Sequence, residues 1–165
     1  MTVAARLPVM LLAASLSLPA MAQDGGALRT TLDRHLEAIN ARDLDALMET
    51  VTEGQELVTI LPDGRVLETR DGYRKLHVDW FADGDWRMAF QLEDVGIVAD
   101  AGIARVRYQA LERDDAGGER NTGEALLVLV FAREAGAWRL VHDQNTVIPS
   151  PPARLPAGGP PPEET

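Results

Sequence analysis

The spacing of apolar residues changes once along this chain, near residue 84, and that change sets the fold class. Up to that point the strongest runs are helical. Leu28, Leu32, Leu36 and Ile39 form one stripe that ends near Asn40. Asp43 reads as an N-cap, with Leu44, Leu47, Met48 and Val51 following at i, i+3, i+4 and i+7. A third stripe, Tyr73, Leu76, His77 and Trp80, starts at Asp71 and stops at Asp83-Gly84. Between the second and third stripes, residues 57–61 and 66–69 are short β-prone runs around the turn Pro62-Asp63-Gly64.

Beyond residue 84 the period is two. Trp86, Met88, Phe90 and Leu92 alternate with Arg87, Ala89, Gln91 and Glu93; Ala104, Val106, Tyr108 and Ala110 alternate with Arg105, Arg107 and Gln109. Both runs predict strands with one face buried. Residues 125–132 are apolar at every position, which predicts cover on both faces. The helices supply one cover, and a second copy of the chain is the simplest other, so a homodimer is expected. Asp115-Ala116-Gly117-Gly118 and Arg133-Glu134-Ala135-Gly136-Ala137 are hairpin signals, and residues 138–147 form the last strand. Helices segregated from an antiparallel sheet, in the order α-α-β-β-α-β-β-β-β, make an α+β domain.

The two ends stand apart from this pattern. Residues 1–22 combine Arg6, a short apolar run broken by Pro8, and Ala20-Met21-Ala22, the features of a secretory signal peptide cleaved before Gln23. The apolar run is too short for a membrane span. The expected destination is the periplasm or the exterior, with no membrane association after cleavage. Residues 23–26 read as a flexible lead-in to a domain over 23–149, and the Pro-rich residues 150–165 as a disordered tail. The chain has no cysteine, so disulfides, thiolate metal sites and a lipidated cysteine are excluded. Its net charge of −10, without a basic run, argues against nucleic acid and anionic lipid as partners.

The junction Asn40-Ala41-Arg42-Asp43-Leu44-Asp45-Ala46-Leu47, the Pro62-Asp63-Gly64 turn and the last strand led by Trp138 occur in an order that resembles the nuclear transport factor 2-like (SnoaL-like) superfamily. The resemblance spans residues 28–148. Many members carry Trp-x-x-Val-His-x-His-x-Ser in that strand; here His142 matches the first histidine, Gln144 replaces the second and Thr146 the serine. The resemblance implies a cone: a strongly curved sheet wrapped around the N-terminal helices, with a pocket open at one end. Its walls would draw on Trp80, Trp86, Met88, Phe90 and Tyr108.

The polar end of the last strand carries the candidate chemistry. Strict alternation puts Leu140, His142, Gln144 and Thr146 on one face and Val141, Asp143, Asn145 and Val147 on the other. His142 and Asp143 therefore share a pocket only if a bulge intervenes. Similarity to ketosteroid isomerase-like proteins, aligned on Gly136, implies Val141, Asp143 and Asn145 inside; the apolar weight of Trp138 and Leu140 favours the opposite face. Facing inward, Asp143 is a general acid or base with Asn145 orienting a ligand; alternatively His142 shuttles the proton and Gln144 holds the ligand. A purely structural alternative pairs Asp143 with Arg105 or Arg107. His77, on the apolar side of its helix, reads as a core histidine rather than a ligand contact. The first helix offers Thr30, Thr31, Asp33 and His35 but no tyrosine, which counts against ketosteroid isomerase chemistry itself. The three histidines lie on three elements without metal-ligand spacing, and neither a phosphate loop nor a Gly-x-Ser-x-Gly elbow is present, so no metal or cofactor is expected.

Three functions remain open. The leading one is an exported module that binds a small apolar or weakly polar molecule. The second is a cofactor-free isomerase, cyclase or hydrolase using Asp143 or His142, and the third is a dimeric assembly domain.

Overall fold

The computed structural model describes residues 17–114 and 116–149, with side chains from residue 23 onward. Residues 1–16 of the expected leader and the whole expected tail lie outside that range. Three helices, α1 (Ser17–Ala41), α2 (Leu44–Met48) and α3 (Arg70–Phe81), precede or interrupt six strands: β1 (Glu56–Ile60), β2 (Val66–Thr69), β3 (Trp86–Val98), β4 (Ala101–Arg113), β5 (Glu119–Glu134) and β6 (Ala137–Val147). The expected element order and α+β class hold. The six strands form one curved, open sheet in the order β2-β1-β6-β5-β4-β3. One pairing departs from an all-antiparallel sheet, because β1 runs parallel to β6. Periodicity reports which face a residue occupies, not its neighbour's direction, so this crossover was invisible in the sequence.

Two expectations need correction at the helices. Residues 23–26 are not a loose lead-in but part of α1. They are held by Arg133, whose guanidinium donates to the Asp24 carboxylate, and by Trp138, whose Nε1–H donates to the Asp24 carbonyl at 3.3 Å. Two adjacent glycines weaken a helix there, but tertiary docking outweighs propensity. Val51 does not extend α2; the chain turns out after Met48, and Val51 instead bridges Leu140 in parallel pairing. Asp43 is the N-cap as expected, accepting from the Ala46 N–H at 2.9 Å.

The end of α1 fixes the sheet edge. Asp43 N–H donates to Ala38 O and Arg42 N–H to Ile39 O, a Schellman closure with Arg42 at φ 54 where glycine is usual. The Arg42 guanidinium compensates for that backbone cost. It donates to Gly84 O at 2.8 Å and to Trp86 O, and lies 4.5 Å from the Trp86 ring centroid. Two residues earlier, Asn40 donates to Met88 O at 3.0 Å and accepts from Met88 N–H at 2.9 Å. It substitutes for a neighbouring strand on the outer edge of β3 and so protects that edge from further pairing.

Bulges decide which side chains face the helices. In β3 the register shifts between Leu92 and Asp94, so Glu93 is extra and Val95 and Ile97 resume the inner face. On β5 the inner side chains Ala125, Leu127, Leu129 and Phe131 are buried, whereas Leu126, Val128 and Val130 are only half-buried on the outer face. The outer face also carries Arg105 and Arg107 paired with Glu93 at 3.0 and 2.8 Å, and Arg107 paired with Glu124 at 2.9 Å.

The β5–β6 hairpin closes in two residues, with Ala135 at φ 47 and Gly136 at φ 85. Both positive values define a type I′ turn, which favours Asn-Gly. Ala135→Asn should raise stability by roughly 1 kcal/mol, seen as a higher urea midpoint at unchanged slope. An unaltered midpoint would mean that the turn carries no strain.

Candidate functional site

Helix α3 crosses the inner face of the sheet because Tyr73 and His77 bury one side of it and Thr69 caps it, accepting from the Gly72 N–H at 3.0 Å. Beside α3 lies a cavity of about 410 Å³, within the size range of small-molecule sites. Leu76, His77 and Trp80 of α3 form one wall; Met88, Phe90, Tyr108 and Leu127 from successive strands form another. Thr59, Asp143 and Asn145 supply polar atoms from β1 and β6, and the turn residues Pro62, Asp63 and Arg65 complete the lining.

Asp143 reaches this cavity because of one residue. Across β5 and β6, Val130 pairs with His142 but Phe131 pairs with Leu140, leaving Val141 as a bulge. The inner face therefore holds Trp138 and Leu140 before the bulge and Asp143 and Asn145 after it. The apolar weight of Trp138 and Leu140 thus sets the inner face before the bulge, and the ketosteroid isomerase-like placement of Asp143 and Asn145 holds after it. The same bulge sends His142 and Gln144 to the outer face, opposite Val130 and Val128, and neither lines the cavity. Their expected roles as proton shuttle and ligand holder are corrected accordingly. The alternative pairing of Asp143 with Arg105 or Arg107 is corrected too, since both arginines pair with glutamates on the outer face.

Trp80, Met88, Phe90 and Tyr108 line the cavity where the sequence put them. Trp86 does not. It stands behind Trp80, stacked at 4.2 Å between centroids and 11° between planes, and donates Nε1–H to the Trp80 carbonyl at 3.3 Å. Arg42 thus holds Trp86, and Trp86 holds the cavity wall.

The polar groups form a directed chain. Tyr108 O–H donates to Asn145 Oδ1 at 2.9 Å, which turns the Asn145 amide so that Nδ2–H donates to Asp143 Oδ1 at 3.1 Å. One neutral donor does not offset the loss of water around a carboxyl that is 7% exposed, and burial pushes Asp143 up to about 7. Burial, and secondarily the Asp143 charge, raises the Tyr108 hydroxyl, so it stays a donor. His77 donates Nδ1–H to the Tyr73 carbonyl at 2.9 Å, which leaves Nε2 as the acceptor. Burial lowers His77 to about 4, against the raising effect of that bond. Asp143 and His77 are consequently both uncharged between about pH 4 and pH 7. Thr59, paired with Asp143 in the parallel register, has a buried hydroxyl without a hydrogen-bond partner among the described residues.

Sequence reasoning missed Thr59, Asp63 and Arg65 as cavity residues and read His77 as core. A parallel neighbour for β6 brings in the first three, and nothing in the periodicity announces it. His77 is core on its Tyr73 side and wall on the other.

No curated protein matches the sequence. Among solved structures, the chain is 24% identical to a protein of Thiobacillus denitrificans described as a candidate calcium/calmodulin-dependent protein kinase type II association domain. That likeness covers 73% of this chain and 94% of the other, with a TM-score of 0.64. An NTF2-like protein with a cystatin-like fold from Novosphingobium aromaticivorans is 18% identical over 82% of this chain and 89% of its own, with a TM-score of 0.68. A ketosteroid isomerase-like protein of Erwinia carotovora atroseptica is 18% identical over 78% and 98%, with a TM-score of 0.64. At these identities the likeness is one of fold. The SnoaL-like domain model matches residues 28–149, the whole of the sheet and its helices apart from the start of α1, and the chain accordingly belongs to the SnoaL-like domain family.

Proposed function

We propose that this chain binds a small, mainly apolar organic molecule in the cavity beside α3 and exchanges a proton with it through Asp143. The observation that carries the reading is a carboxyl buried in a mainly apolar cavity and pushed up to about 7, where it gives and takes a proton with equal ease near neutrality. Asn145 and Tyr108 hold that carboxyl in one orientation, and Thr59, the neighbour of Asp143 across the parallel pair, lines the same cavity. This is the chemistry of an isomerase or dehydratase, in which the protein needs only to move protons between positions of a bound substrate. Export and homodimerisation belong to the same proposal; they are supported by the pattern of residues 1–22 and by the half-buried Leu126, Val128 and Val130.

The test pairs a binding assay with an exchange assay. The uncharged dye Nile red should bind the wild type and fail to bind Leu76→Trp, which fills the cavity from α3. A panel of cyclic ketones in heavy water should yield compounds that the wild type labels beside the carbonyl and Asp143→Asn does not. Dye binding without any labelling would reduce the protein to a binding module. Loss of both would favour the assembly reading, for which the apolar outer face of β5 is the specific observation.

A further inference from the structure

Among the described residues, the cavity is lined by two acidic side chains, Asp63 and Asp143, and one cationic side chain, Arg65. Arg65 is already engaged. Its Nε donates to Asp63 Oδ2 at 2.7 Å, and its backbone N–H donates to Asp63 Oδ1 at 3.0 Å. The turn that brings the two together has Gly64 at φ 84, and the Gly64 N–H closes it on Leu61 O at 2.9 Å. The mouth of the cavity is therefore neutral as a pair, although a cation stands there. Deeper in, the polar atoms are the Asp143 carboxyl, the Asn145 amide, the Thr59 hydroxyl and the His77 imidazole, none of them a positive charge near neutral pH. The chain as a whole carries −10.

We infer that the site selects uncharged cyclic organic molecules over carboxylates, and that Asp63 sets this preference by occupying Arg65 at the cavity mouth. The inference rests on the small-molecule reading above and adds the charge class of the ligand. A carboxylate entering the cavity would leave water, find no unpaired cation among the described residues, and have to keep the Asp143 carboxyl protonated to approach it. An uncharged ring loses nothing comparable and gains contact with Trp80, Met88 and Phe90. Asp63→Asn is the informative change. Asparagine keeps an Oδ1 to accept from the Arg65 N–H, so the turn survives, but it releases the guanidinium to face an incoming anion. At the solvent-exposed mouth, a freed unit charge about 4 Å from a carboxylate changes its affinity about fivefold in a water-like dielectric.

The test uses two probes of nearly equal shape, 1-acetylnaphthalene and 1-naphthoate, titrated calorimetrically at about pH 7, where a carboxylic acid is ionised and a ketone has no charge. The wild type should bind the ketone at least tenfold more tightly than the carboxylate. Asp63→Asn should narrow that ratio about fivefold through tighter naphthoate binding alone, and added salt should reverse the gain. An unchanged ratio in Asp63→Asn would overturn the role of the rim pair. Equal binding of both probes by the wild type would overturn the charge preference and leave the small-molecule reading intact. Failure of the wild type to bind either probe would remove that reading and this inference together.

Discussion

Asp143→Asn should make the protein more stable above pH 7, although it removes the group proposed to carry the chemistry. In an unfolded chain Asp143 loses its proton near 3.8, whereas in the fold it keeps it until about 7. Below 3.8 the carboxyl is neutral in both states and costs nothing. As the pH rises toward 7 the unfolded state gains by ionising and the folded state does not, so stability is lost across that window. Above 7 the full cost is in place, roughly 4 kcal/mol for a displacement of this size. Asparagine never ionises, fills the same volume and keeps an oxygen to accept from Asn145 Nδ2. Unfolding free energies of the two proteins from urea melts should nearly coincide at pH 4 and separate by about 4 kcal/mol at pH 8. Parallel curves would mean that Asp143 titrates as an ordinary exposed carboxylate, and the proposed proton transfer would lose its basis. A site that lowers stability when intact is expected where a charge must be held poised in an apolar wall.

His35 should control the acid limb of the same profile. It is fully buried on α1, its Nδ1–H donates to Thr50 Oγ1 at 2.8 Å, and the Thr50 hydroxyl in turn donates to Leu47 O at 2.6 Å. That chain fixes the tautomer and leaves Nε2 buried without a partner among the described residues. Burial, helped by His77 nearby, lowers His35 to about 3. Above 6.5 the ring is neutral in both folded and unfolded chains. As the pH falls below 6.5 the unfolded chain takes up the proton and the folded one refuses it until about 3, a loss of roughly 5 kcal/mol over the window. His77 acts in the same direction between 6.5 and about 4, and Asp143 opposes both from 7 down to 3.8. His35→Asn keeps a donor near Thr50 but leaves a small cavity, so it should be less stable than the wild type at pH 7 by about 1–3 kcal/mol. Between pH 4 and 6 its stability should depend on pH less steeply by one proton. A slope identical to the wild type would show that His35 is protonated within the fold, and that the core around Thr50 admits water.

Much of the architecture was readable because it follows from local chemistry. The stripe Leu28-Leu32-Leu36-Ile39 has one way to bury itself, the Asp43 cap has one nearby N–H to accept from, and the alternation from Trp86 to Leu92 places four large side chains on one face. Alternation puts Met88, Phe90 and Tyr108 on inner faces, and the resemblance to the SnoaL-like superfamily is what assigns them, with Trp80, to a cavity. The misplacement of Trp86 came from a contact across 44 residues, since Arg42 draws it behind Trp80. The lead-in at 23–26 failed for a similar reason, because Arg133 and Trp138 hold Asp24 from more than 100 residues away.

The candidate site turned on smaller matters still. A period of two fixes the alternation of Leu140, Val141, His142 and Asp143, but a single unpaired residue inverts everything after it. Whether β6 contains such a residue depends on how β5 pairs with it, and each strand alone is compatible with either register. Likewise Thr59 meets Asp143 only because β1 lies parallel to β6, a choice made by the crossover through the helices. The sequence by itself determined the class of fold, its element order and the supply of a carboxylate, an amide and aromatic rings, because side-chain spacing along one element is a local property. Only the tertiary structure decided that Asp143 rather than His142 faces the cavity, that its environment is dry enough to hold a proton near neutrality, and that Asp63 and Arg65 stand at the mouth. Register, burial and the field around a charge are sums over neighbours distant in the chain, and no single strand carries them.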